Sequence, residues 1–267
     1  MKKGLFLAML VVSAWSIAQQ QSEIPLGTHY VLHSKNMQED QKFNVRLPEN
    51  YSDTISYPVI FLLDGSVDGD FLPFCGLAHN AAYPWVNQLP ASIIVGIENA
   101  DRRRDYTFPT TVEEDLKSYP TTGHSKEFIA YLKTELIPWT QSHFKTSEQT
   151  IAGQSLGGLL ASEILLSDPD LFDMYILVSP SLWWDRESIL SRPAGPAISN
   201  KQVFIVYGEE GDLMERPART LVKYLRGTMK GGNLFTEKIG TANHANIFIP
   251  AFQLAFEKMD WFFGRKK

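Results

Sequence analysis

A chain with one cysteine cannot close an internal disulfide, and Cys75 is the only cysteine among 267 residues. With no partner thiol and no base beside it in sequence, Cys75 reads as a small buried hydrophobe and not as a nucleophile. Positive charge is also scarce. Lys and Arg number 25 against 30 Asp and Glu, for a net charge of −5. That balance argues against nucleic acid or an anionic membrane surface as a partner. No phosphate-binding loop and no dinucleotide fingerprint occurs, and Asp64, Asp68 and Asp70 lack the spacing of a calcium-binding loop. No cofactor and no metal is therefore expected. Internal repeats, low-complexity segments and an evident domain boundary are missing too, and nothing in the sequence sets an oligomeric state.

The first 18 positions contain no acidic residue. Met1-Lys2-Lys3 forms a basic start, Gly4 to Ile17 an apolar stretch, and Ser16-Ile17-Ala18 a small-x-small cleavage site. The apolar run is too short for a stable membrane span. Residues 1–18 are therefore expected to be a signal peptide, with an uncleaved anchor as the alternative, and the protein to be exported to the periplasm or secreted. No cysteine adjoins the cleavage site, which argues against a lipid anchor. Loss of Lys2 and Lys3 would move the net charge from −5 to −7. Residues 19–267 read as one catalytic domain, and 44% hydrophobic residues suffice for a sizeable core.

Within that domain, His29–Ser34 and Gln41–Leu47 read as strands across a polar turn, an antiparallel hairpin. Tyr57–Leu63 and Ala91–Ile97 are apolar runs suited to strands buried on both faces. Between them an irregular stretch from Val67 to Pro90 holds a short helix expected within Leu77–Gln88. Ser125–Phe144 has helical apolar spacing, with Pro138 expected to bend it. Thr150-Ile151-Ala152, Met174–Ser179, Gln202–Tyr207 and Leu234–Ile239 supply further strands, while Leu221–Leu225 and Pro250–Phe263 supply helices. Strands alternating with helices after an antiparallel start predict a mostly parallel sheet with helices on both faces.

The chemistry centres on Gly153-Gln154-Ser155-Leu156-Gly157, which is G-x-S-x-G between a strand and a helix. Small residues two before and two after the serine let strand and helix backbones cross closely. The serine hydroxyl then stands proud of the sheet at a helix N-terminus. A serine hydroxyl is a weak nucleophile near neutral pH and needs a base, which in turn needs an orienting acid. In this arrangement the chain order is nucleophile, acid, base. His244 alone among six histidines lies after a plausible acid and the last strand, in Gly240-Thr-Ala-Asn-His-Ala-Asn. The acid should follow the strand ending at Tyr207, where Glu209, Glu210 and Asp212 compete; Glu210 is favoured, then Asp212, then Glu209. The oxyanion would be held by the amide of Leu156 and that of Gly65 or Ser66, which follow the first buried strand.

Five stretches together resemble the esterase family of α/β-hydrolases. They are Tyr57-Pro-Val-Ile-Phe-Leu-Leu-Asp-Gly, the Asn99–Asp105 run with three arginines, Gly-Gln-Ser-Leu-Gly-Gly, Ser179-Pro-Ser-Leu-Trp-Trp-Asp185 and Asn-His-Ala-Asn. That family includes siderophore, feruloyl and acetyl-xylan esterases, S-formylglutathione hydrolases and mycolyl transferases. The siderophore-esterase branch is the most similar, although its Gly-x-x-Glu spacing is shifted here by one residue. The resemblance implies an α/β-hydrolase fold and an ester hydrolase working through an acyl-enzyme on a small-molecule or glycan ester. A siderophore trilactone leads, and feruloyl or acetyl esters of plant polysaccharide are the alternative. Acyl transfer and non-catalytic ligand binding are weaker readings. Trp183 and Trp184 are expected at the site's rim, and Arg102 and Arg104 to reach an anionic substrate.

Overall fold

The computed structural model describes residues 24–193, 195–229 and 233–262. The expected signal peptide lies outside them. Eight strands form one sheet: β1 (Thr28–Ser34), β2 (Glu39–Arg46), β3 (Tyr57–Leu62), β4 (Ile93–Ile97), β5 (Thr146–Gln154), β6 (Met174–Val178), β7 (Gln202–Gly208) and β8 (Leu234–Ile239). Their order is β1-β2-β4-β3-β5-β6-β7-β8. β1 pairs with β2 and β2 with β4 antiparallel, and all other pairs are parallel. This is the α/β-hydrolase arrangement expected from the sequence.

Period-two alternation splits the core. Val59, Phe61, Ile151, Tyr175 and Ile205 face one way and join a cluster with the helical stretch 125–143, α6 (Leu156–Ser167) and α7 (Asp212–Thr228). Ile60, Leu62, Ala152, Ile176 and Phe204 face the other way, against Phe74 and Ala78 of α1 (Leu72–Ala81) and Phe252 and Phe256 of α8 (Phe248–Phe262). Shorter helices are α2 (Arg102–Asp105), α3 (Glu113–Ser118), α4 (Ser125–Tyr131) and α5 (Ile137–His143).

Three expectations change here. The helix predicted within Leu77–Gln88 instead starts at Leu72 with Pro73 in its first turn, where a missing N–H costs nothing. The helix expected over Ser125–Phe144 is not one continuous α-helix. The chain widens into a π-turn over Leu132–Leu136, Ile137 N–H donates to Leu132 O five residues back, and Pro138 opens α5. The helix predicted at Leu221–Leu225 begins at Asp212, so the chain enters it directly from the loop that carries the candidate acids.

The topology gathers the chemistry. β3 has β4 on one side and β5 on the other, so chain direction across the sheet switches there. Ligands in open parallel sheets lie beyond the carboxyl ends of strands at such a point. Asp64–Ser66, Ser155, Ser179–Ser181, Glu210 and His244 all follow the carboxyl ends of β3, β5, β6, β7 and β8.

Candidate active site

Ser155 sits between β5 and α6 with φ 59° and ψ −118°. An L-residue held there costs about 1–3 kcal/mol, which the flanking strand and helix must offset. Close packing explains the neighbouring glycine: a Cβ on Gly153 would lie 2.6 Å from the Gly157 carbonyl carbon. Ser155 N–H donates to Val178 O at 3.0 Å, extending the β5–β6 ladder into the turn.

His244 Nε2 lies 3.0 Å from Ser155 Oγ, and His244 Nδ1 lies 2.7 Å from Glu210 Oε2. The tautomer with Nδ1–H donating to the carboxylate leaves Nε2 free to accept the serine proton. Glu210 is the acid that reaches the imidazole. Its other oxygen accepts from Gly208 N–H at 2.9 Å and from the Ser179 hydroxyl. Its side chain is 2% exposed, and burial alone would raise its pKa. The hydrogen bonds from His244, Ser179 and Gly208 outweigh burial and hold the carboxyl below its ordinary value. The competing acids point elsewhere: Glu209 pairs with Lys238 at 2.6 Å, and the exposed Asp212 pairs with Arg216 and Arg219 at 3.3 Å each.

Local bonds fix both loops. Glu215, buried in the first turn of α7, accepts the N–H groups of Glu210 and Gly211 at 3.1 Å each on Oε1. Its Oε2 takes Lys238 at 2.9 Å and Arg219 at 3.1 Å. In the His244 loop, Asn246 Oδ1 accepts Asn243 N–H at 2.7 Å, Asn243 Oδ1 accepts Ala245 N–H at 3.0 Å, and Gln154 Nε2 donates to His244 O at 2.8 Å. Ser181 Oγ stands 3.2 Å from Ser155 Oγ. Sequence reading missed Glu215, Gln154, Ser179 and Ser181 as site residues. The Ser-Pro-Ser run was visible as a motif, but nothing in spacing said where its hydroxyls point.

The amide of Leu156 opens α6 and has no carbonyl of that helix to donate to. Of the two candidates for a second oxyanion donor, the Gly65 amide is taken, donating to Ile97 O at 2.8 Å. Ser66 N–H makes no hydrogen bond among the described residues, and Ser66 lines the cleft above Ser155. Gly65 has a steric role instead, since a Cβ there would meet Gly96 Cα at 2.3 Å. Buried Tyr106 sets this loop from below: its hydroxyl accepts Asp64 N–H at 3.0 Å and Asn99 Nδ2 at 2.6 Å.

The expected substrate contacts divide. Arg102 lines the cleft but is paired bidentately with Asp64, Nε to Oδ1 at 2.9 Å and Nη2 to Oδ2 at 2.8 Å. Arg104 does not reach the cleft; Asp105 and Glu39 hold it, and its pKa is raised accordingly. Trp184 is fully buried and donates Nε1–H to Phe108 O at 2.9 Å, so it is a core residue and not a rim residue. Trp183 is half-buried near Tyr119 and Trp184, outside the residues that line the cleft.

Residues 34–245 match the family described as "Putative esterase". The chain belongs to this esterase family. The ferri-bacillibactin esterase BesA of Bacillus subtilis is 30% identical over 176 residues, a match that spans 61% of this chain and 61% of that protein. An IroE-like serine hydrolase from Shewanella oneidensis superposes with a TM-score of 0.79 at 24% identity, covering 90% of this chain and 82% of the other. The siderophore hydrolase EstB from Aspergillus nidulans gives 0.69 at 19% identity, covering 92% and 98%. At these identities the structural likenesses speak for the fold.

Proposed function

We propose that the chain is an exported serine esterase that cleaves a small-molecule ester through an acyl-enzyme. The observation that carries this reading is the unbroken hydrogen-bond chain Ser155–His244–Glu210 at a strand-to-helix elbow. His244 Nε2 takes the Ser155 proton as Oγ bonds to the ester carbonyl carbon, and the carbonyl electron pair moves onto oxygen. The Leu156 and Ser66 amides receive that oxyanion. As the C–O bond breaks, the imidazolium returns the proton to the departing alcohol. Water then repeats the sequence on the acyl-enzyme and releases the acid. Buried Glu210 stays ionised throughout and stabilises the imidazolium.

Siderophore-type esters are the substrate class this reading favours, supported by the name of the BesA relative. The test is hydrolysis of a panel by purified protein: a catecholate trilactone, feruloylated and acetylated oligosaccharides, and a short nitrophenyl ester. Ser155→Ala should lower kcat by about 10³-fold or more. Equal rates in the variant would overturn the mechanism. Export is tested by cell fractionation, with the processed chain outside the cytoplasm as the expected result.

A further inference from the structure

The cleft over Ser155 encloses 710 Å3, and its lining carries three carboxylates, Asp64, Asp70 and Glu98, against one guanidinium and no lysine. That guanidinium, Arg102, commits its Nε–Nη2 edge to Asp64 at 2.9 and 2.8 Å, so the charges of this pair largely offset each other. Asp70 and Glu98 remain. Glu98 Oε1 accepts from the neutral amide of Asn44 at 2.8 Å, which leaves its charge uncompensated. His29 Nδ1 lies 3.7 Å away and adds positive charge only when protonated. Asp70 accepts no hydrogen bond from a basic side chain among the described residues. Burial and the neighbouring Asp64 push its carboxyl up to about 6, against the pull of Arg102, so it is largely ionised near pH 7.5. Nor do these carboxylates form a ligand set, since among the described residues no three His, Cys, Asp or Glu gather as a metal site would require.

We propose that this cleft selects esters that are uncharged or cationic near the reacting carbonyl, and that Asp70 and Glu98 are the residues that turn anions away. The inference rests on Ser155 being an esterase nucleophile. Applied to siderophore-type esters, it separates charge classes. A metal-free trilactone or a neutral chelate enters, and a ferric tris-catecholate, which is trianionic, is disfavoured. Both the bound ester and the oxyanion formed from it feel the same field, so the discrimination appears in kcat/KM.

Two size-matched series test it. Nitrophenyl esters vary the acyl end (tert-butyl, trimethylammonium or sulfonate), and hexanoate esters vary the alcohol end in the same way. In at least one series the anionic member should trail the neutral one by about tenfold, the order expected of two uncompensated charges across a partly wet cleft. High salt should narrow that gap. A catecholate trilactone should be cleaved faster without iron than with it. Asp70→Asn alone, and with Glu98→Gln, should move the anionic-to-neutral ratio toward one, with the neutral ester reporting that each variant is folded. Equal turnover of anionic and neutral esters in both series overturns the proposal, as does a gap that neither variant moves. If no ester is hydrolysed beyond the Ser155→Ala blank, the esterase reading itself fails and the proposal falls with it, a result distinct from hydrolysis without charge preference.

Discussion

Ser155 at φ 59° and Asp64 at φ 58° are two non-glycine residues in the left-handed half of conformational space, one on each side of the cleft. Each turns its chain sharply off a strand end, and each is pinned by a neighbour, Ser155 by Val178 O and Asp64 by the Tyr106 hydroxyl. Strain of this kind persists where surrounding structure over-determines it. Asp70 carries a different cost. Its pKa is raised from 3.8 to about 6, chiefly by burial. The folded state therefore binds its proton more tightly than the unfolded state does. Its contribution to stability is fully present below pH 3.8 and is lost as pH rises through about 6. Asp70→Asn should accordingly raise Tm more at pH 8 than at pH 4.5, measured by thermal melts of both proteins at both pH values. A larger gain at the lower pH would contradict the burial argument.

Among the elements, α7 does more than cover the sheet, because its first turn carries Glu215, which holds the backbone of the acid loop. Glu215→Ala would orphan two N–H groups, at a cost of about 1–3 kcal/mol each where water cannot replace the carboxylate. The loss should fall on kcat, by roughly tenfold, with KM nearly unchanged, because Glu210 keeps His244 in place and does not touch substrate. Steady-state kinetics on a neutral ester checks it, and Glu215→Gln, which retains an acceptor oxygen, should restore most of the rate. The strands were legible in the sequence because parallel strands buried on both faces must be continuous apolar runs, as Tyr57–Leu62 and Ile93–Ile97 are. The helix starts were not. Leu72–Ala81 carries a proline in its first turn and follows a π-turn, so apolar periodicity locates only its second half.

At the scale of the whole molecule, one strand order brings residues 64 to 244 to a single edge of the sheet. The serine and histidine were readable because the elbow motif and the nucleophile–acid–base order are local or ordinal. The acid was less so. Glu209, Glu210 and Asp212 differ by where each side chain points, and three-dimensional neighbours decide that: Lys238 claims the first and the arginines of α7 the last. Trp184 and Arg104 misled for the same reason. An aromatic or a cation after a strand end can serve a rim or a core, and Phe108 O and Glu39 settle the matter here from distant parts of the chain. The central claim is that Ser155 is activated by His244. Treating the protein with a fluorophosphonate and mapping the adduct by peptide mass spectrometry tests it most directly. The account predicts one adduct, on Ser155, absent in Ser155→Ala and formed far more slowly in His244→Ala. An adduct on another serine, or labelling that does not depend on His244, would contradict it.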